Sequence, residues 1–158
     1  MRISRKTLYA LQALTTLARN YGRGPLAMHD IASVDDIPEK FLELVMQQLK
    51  HARFVQSNRG AKGGHLLKRA PGEIRLSEVI RLVEGPLAPY GDAPQLRNRV
   101  LEDASHRALY QVFLDVRDAT ADILENTTLA DLIRSPVSTG SDLRKHGPAK
   151  KLARKLKA

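Results

Sequence analysis

The strongest constraint on this chain lies in residues 30–68, where a helical apolar period gives way, without a linker, to two strand patterns around a glycine-rich turn. Phe41, Leu42, Val45, Met46 and Leu49 recur at helical spacing and form one apolar stripe that must be buried. Asp36 is expected to cap this helix and Pro38 to sit in its first turn. The opposite face carries Lys40, Glu43, Gln47 and Lys50, side chains long enough to reach base edges and phosphates from a major groove. Residues 54–57 and 65–68 read as strands, and Gly60, Gly63 and Gly64 make the turn between them possible. Residues 27–34 supply a short preceding helix, with Ile31 and Ala32 inward and His29 on the surface. Helix, turn, helix and hairpin in this order build a winged helix-turn-helix, so the expected fold class is mainly α with a small β-hairpin wing.

Charge follows the same division. Residues 1–85 carry 14 Lys and Arg against 8 Asp and Glu, residues 86–142 carry 5 against 9, and residues 143–158 carry 7 against none. Cations are needed only where a protein meets a polyanion, so the front of the chain is the expected nucleic-acid surface. The basic tail is either a non-specific DNA contact or a solvated extension. Cysteine is absent, which excludes disulfides, thiolate metal sites and cysteine nucleophiles. The histidines at 29, 51, 65, 106 and 146 are scattered, and Gly60-x-x-Gly63-Gly64 lacks the Lys-Ser/Thr of a phosphate loop. Neither catalysis nor nucleotide binding is therefore expected. No apolar run approaches the roughly 18 residues of a membrane span, and a cytoplasmic protein without membrane contact is expected.

Residues 4–20 read as the first helix, capped by Ser4. Ser4, Arg5 and Lys6 combine backbone amides with positive charge at its start, which suits either a phosphate contact or an ordinary solvated helix end. Ser77 is expected to cap a helix ending at Gly85, with Val79, Ile80 and Val83 inward, and these elements close a winged domain over 1–85. Pro86, Pro89, Gly91 and Pro94 mark a loop, assigned to 86–104. A long helix over 105–125 carries Leu109, Val112, Phe113, Val116, Ile123 and Leu124 on one stripe. It exceeds what the winged domain needs for cover, so its stripe is a candidate dimer seam. Thr128-Leu129-Ala130-Asp131 opens a short final helix in a dimerisation segment over 105–134, and 135–158 is expected to be a disordered basic tail.

Several motifs together are similar to the Rrf-two family of bacterial transcription regulators. They are Ile37-Pro38-x-x-Phe41-Leu42-Glu43 and Gln48-Leu49-x-x-Ala52-x-x-Val55-x-Ser57-x-Arg59-Gly60-x-x-Gly63-Gly64. The likeness extends back through Ser4-x-Lys6-x-x-Tyr9-Ala10-Leu11 and forward through Leu76-x-x-Val79-Ile80-x-x-Val83-Glu84-Gly85, with a weaker echo to about residue 133. It implies a homodimeric, sequence-specific regulator on a near-palindromic double-stranded DNA operator. In that reading Ser4 and Lys6 meet phosphate, Lys40, Glu43 and Gln47 face the major groove, and Arg59, Gly60 and Lys62 form the wing at the minor groove. Glu43 would discriminate sequence by accepting from a cytosine amino group; the alternative is an exposed carboxylate paired with Gln47 or Lys50. Leu109, Val112, Phe113, Val116 and Ile123 would make the dimer.

The chain departs from the family at Arg53, where glycine is usual, and at His65, where tyrosine is usual. Family members that sense iron, nitric oxide or redox state carry three cysteines after the position of Gly85 and a histidine where Arg107 stands. Here all four are missing, so no metal and no cofactor are expected, and His106 beside Glu102 and Asp103 reads as a solvated helix start. The switch would then be a small-molecule or protein effector at the hinge before the long helix, with control by protein level as the rival. The alternative function is a winged-helix protein-interaction or sensory module that has lost operator binding.

Overall fold

The computed structural model describes residues 3–60, 63–86 and 93–134. Seven helices and one hairpin follow in the order α1 Arg5–Arg19, α2 Met28–Val34, α3 Glu39–His51, β1 Val55–Asn58, β2 Gly64–Leu67, α4 Leu76–Glu84, α5 Ala93–Glu102, α6 Arg107–Glu125 and α7 Leu129–Arg134. A single 3-10 turn at Pro71–Glu73 precedes α4.

One core joins α1, α2, α3, the hairpin, α4 and α7. Ala10, Ala13 and Leu14 of α1 and Leu42, Val45, Met46 and Leu49 of α3 meet Ile31, Val55, Ile74, Val79 and Leu129, all essentially inaccessible to water. Each fully buried Leu or Ile here contributes about 1.5–3 kcal/mol of apolar burial. Chain closure comes from α7. Leu129 donates to the Ile74 carbonyl at 3.0 Å, and Leu76 to that of Thr127 at 2.9 Å. The reciprocal cap expected at the last helix forms, with Thr128 N–H on Asp131 Oδ2 at 2.9 Å and Asp131 N–H on Thr128 Oγ1 at 3.3 Å.

Two helix starts differ from expectation, and a third turn holds Arg53 where glycine is usual. Asp36 does not cap α3; it sits in the left-handed region at φ 50°, while the Ile37 amide returns to the Ala32 carbonyl at 2.9 Å. It therefore ends α2, and Pro38 occupies the N-cap of α3. Ser77 is buried inside α4; the cap is Arg75, whose amide donates to Glu78 Oε1 at 3.1 Å. Arg53 closes α3 at φ 62°, its amide on the Lys50 carbonyl at 3.0 Å and that of Phe54 on Leu49 at 2.9 Å. That double closure is a Schellman motif, in which the left-handed residue is ordinarily glycine.

The wing pairs Val55 with Leu67 through to Asn58 with Gly64, antiparallel. A third stretch locks it to the scaffold: Leu26 and His65 exchange amide bonds at 2.9 and 2.7 Å. Gly64 lies at φ 152° against the Leu26 carbonyl, where a Cβ would collide with backbone.

The segment expected as a loop over 86–104 contains a helix, α5. Pro94 stands in its first turn, where a missing N–H costs nothing. Helices α5 and α6 pack on each other and form an arm between α4 and α7. The arm touches the domain through a small cluster of Ile80, Ala121, Leu11 and Leu124 and through the Arg81–Glu125 ion pair. The expected α6 stripe divides in two. Phe113 and Leu124 are half-buried, while Leu109, Val112, Val116 and Ile123 remain 49% to 55% exposed.

Candidate nucleic-acid interface

Helix α3 presents the candidate surface because its buried side fixes its rotation. Leu42, Val45, Met46 and Leu49 face the core, and Phe41 at the edge is 38% exposed and stacks edge-to-face on Tyr9 of α1 with ring centroids 5.4 Å apart. That leaves Lys40, Glu43, Gln47 and Lys50 outward and exposed, as the helical period requires. Glu43 makes no ion pair or hydrogen bond with Gln47, Lys50 or any other described residue, so the alternative of a helix-surface pair is not seen. Lys40, Lys50 and Arg59 are likewise free of carboxylate partners among the described residues. Three arginines elsewhere are tied: Arg69 to Glu78 at 2.8 Å, Arg81 to Glu125, and Arg117 to Asp118 at 2.5 Å. Lys40, Lys50 and Arg59 thus give the α3 and wing side cations with no carboxylate partner among the described residues, the charge a polyanion would meet there.

Around α3 the supports are specific. His29 at the start of α2 pairs with Glu39 at 2.7 Å, and this hydrogen bond raises the imidazole pKa above its ordinary 6.5. His29 lies on the surface, as expected, with its side chain 79% exposed, and its pair bridges the starts of α2 and α3. Gln48 Nε2 donates to the Leu82 carbonyl at 3.1 Å and tethers α3 to α4. On the wing, Arg59 and Gly60 are exposed and Gly60 takes φ 110°. Lys62 lies outside the described residues. His65 is half-buried beneath the wing, and burial followed by the nearby Lys50 charge pushes its pKa down.

The start of α1 is arranged differently from expectation. Ser4 does cap the helix, its Oγ accepting from Thr7 N–H at 3.2 Å. Its own amide, however, donates to Glu84 Oε1 at 2.7 Å, and Thr7 Oγ1 donates to the same carboxylate oxygen. Hydrogen bonds from Ser4 and Thr7, aided by the Lys6 charge, hold the Glu84 carboxyl at about 2. The Ser4 amide is thus engaged by the Glu84 carboxylate. Lys6 remains: it lines an open groove of about 690 Å³ with Phe41, Leu44, Gln47, His51 and Leu82.

Two contributors escaped the sequence pattern. Glu84 acts across 80 positions in the chain, and no local period signals such a contact. Leu44 is apolar and 61% exposed on the polar side of α3, and a helical wheel would have shown it off the buried stripe.

The donor set before α6 does not suit an iron–sulfur cluster. The sequence contains no thiolate, Arg107 Nε donates to the Val100 carbonyl at 3.1 Å, and His106 Nδ1 lies 3.1 Å from the Asp103 carboxylate. Among the described residues no three His, Cys, Asp or Glu side chains gather as a metal site, and no helix is long and apolar enough to cross a membrane.

Known proteins share this architecture. The model of the Rrf2 (Rrf-two) family, described as an iron-dependent transcriptional regulator, matches residues 3–135. The HTH-type transcriptional regulator CymR of Bacillus subtilis is 36% identical over 132 residues, covering 84% of this chain and 89% of that protein. The solved structure of CymR, the global cysteine regulator of B. subtilis, superimposes with a TM-score of 0.72 at 35% identity, covering 84% of this chain and 95% of that one. IscR of Cronobacter sakazakii, also an HTH-type transcriptional regulator, is 29% identical over 150 residues, covering 94% of this chain and 90% of that protein. With the family model spanning the winged domain, the arm and α7 alike, this chain belongs to the Rrf2 family of transcriptional regulators, DNA-binding proteins and not enzymes.

Proposed function

We propose that this protein is a cytoplasmic, homodimeric, sequence-specific regulator that binds a near-palindromic DNA site and works without an iron–sulfur cluster. The observation that carries the dimer is the outer face of α6. Leu109, Val112, Val116, Ala119 and Ile123 follow one another at alternating steps of three and four, the seam of a coiled coil, and nothing in the described chain covers them. A C2 pairing through that seam buries it and sets two α3 helices for half-sites about 34–36 Å apart or a multiple of that.

On this reading α3 and the wing divide the labour. Lys6, Lys40 and Lys62 neutralise phosphates, Glu43 and Gln47 read base edges, and Arg59 with Gly60 follows the minor groove. The control that a cluster exerts in other family members falls to an effector that binds the two forms of the dimer unequally. The cleft of about 590 Å³ between α5 and α6, lined by Leu96, Arg99 and Tyr110, is the place on this chain where such a molecule would act on the seam.

A fluorescence titration of the full chain with genomic fragments against scrambled competitor tests the reading. Preference for particular fragments is expected, and Glu43→Ala changes which are preferred while Lys6→Ala weakens all of them and lowers the salt slope by about 1. Equal affinity for fragments and competitor would contradict it.

A further inference from the structure

Leu44 projects from the recognition face with 61% of its surface open to water. At about 100° per residue, it falls within one arc with Glu43, Gln47, Lys40 and His51, on the far side of the helix from Leu42, Val45, Met46 and Leu49. Every neighbour in that arc is polar, and Leu44 contributes only carbon to it. It lies in the lining of the open groove shared with Lys6 and Phe41. Leu44 stands outside the buried core to which Leu42 and Val45 on either side of it belong.

Resting on the DNA-binding reading above, we propose that Leu44 is a specificity-determining residue that packs on the 5-methyl group of a thymine in each half-site. The major groove offers one apolar group larger than a hydrogen on its base edges, the thymine methyl; beside it stand donors, acceptors and the small C5–H of cytosine. Glu43 and Gln47 stand beside Leu44 and supply hydrogen-bonding groups, whereas Leu44 can recognise only carbon. The unpaired Lys40 one turn back holds the helix against phosphate, which brings the Leu44 side chain to the groove floor.

The test uses the full chain and a duplex site enriched by it from a random pool. Each thymine of that site is then replaced singly by deoxyuridine, which deletes the methyl and keeps every hydrogen-bonding atom. One thymine per half-site is expected at which the replacement weakens wild-type binding by about fourfold, the worth of one buried methyl. In Leu44→Ala, whose fold is checked by its thermal melt, thymine and deoxyuridine bind alike at that position. Indifference of the wild type to uracil at every thymine would overturn the proposal. So would an unchanged thymine-to-uracil ratio in Leu44→Ala, or a loss of dimer in that variant with the ratio intact, which would assign Leu44 to a protein contact. Failure to enrich any sequence is a separate outcome, because it removes the DNA-binding reading itself.

Discussion

The winged domain and the α5–α6 arm are built from similar residues to opposite ends. In the domain, Leu14, Leu42, Leu49 and Leu129 are sealed from water by five elements, and the last helix returns to close it. In the arm, Leu96, Leu114 and Ala121 are buried, while Leu101, Leu109, Val112, Val116 and Ile123 stand open. The domain completes its own core, whereas the arm leaves more apolar side chains outside than inside, the surface on which the proposed partner subunit would pack.

That contrast is broken most strongly in the arm. Replacing Val112 and Val116 together by Asp places two carboxylates in the seam, where each unpaired charge costs several kcal/mol. Operator affinity is expected to fall at least about a hundredfold, because two linked half-site contacts become independent ones. A double variant that stays dimeric by light scattering and keeps its affinity would break the contrast.

Leu49→Ala sharpens it from the other side. Its cavity in the closed core should lower unfolding free energy in urea by about 2–5 kcal/mol, whereas Leu101→Ala on the outside of α5 should stay within about 0.5 kcal/mol. Equal effects would mean that the arm is as self-sufficient as the domain. Arg59→Ala should leave both stabilities alone and weaken DNA binding by about 1–3 kcal/mol, most on A·T-rich flanks.

Smaller effects test the joints. Arg53→Gly relieves a left-handed residue and is expected to raise stability by about 1 kcal/mol, read from the urea midpoint. At the α1–α4 joint, the folded Glu84 pKa is depressed from 4.5 to about 2, so its contribution is present above 4.5 and is lost as pH falls through about 2. Removing its partner with Thr7→Val should move the Glu84 titration upward by NMR, and an unmoved titration would deny the contact.

These joints also mark the limits of what the sequence displays. Periodicity placed α1, α3, the wing and α6, since each has a face whose apolar residues repeat and whose opposite face stays wet. The capping-box residue types marked the Thr128–Asp131 cap, a contact three residues long. Helix α5 is hidden in the sequence because Pro86, Pro89, Gly91 and Pro94 crowd its approach with loop signals, although a proline in a first turn is compatible with a helix. Asp36 and Ser77 look like caps by residue type, but the tight α2–α3 turn requires a left-handed residue at 36, and the closure by Thr127 and Ile74 starts α4 before 77. Within the candidate interface, Lys40, Glu43, Gln47 and Arg59 were legible as a polar row and a glycine-flanked cation. The Glu84 carboxylate under Ser4 was not, because it is a tertiary contact between the two ends of the winged domain.

The seam of α6 is the element on which the architecture depends, and the mass of the wild-type full chain in solution tests it most directly. Light scattering at micromolar concentration should give twice the mass of one chain, falling to one chain in the Val112→Asp, Val116→Asp double variant. A wild-type protein that is monomeric under those conditions, with the seam left open to water, would contradict the account.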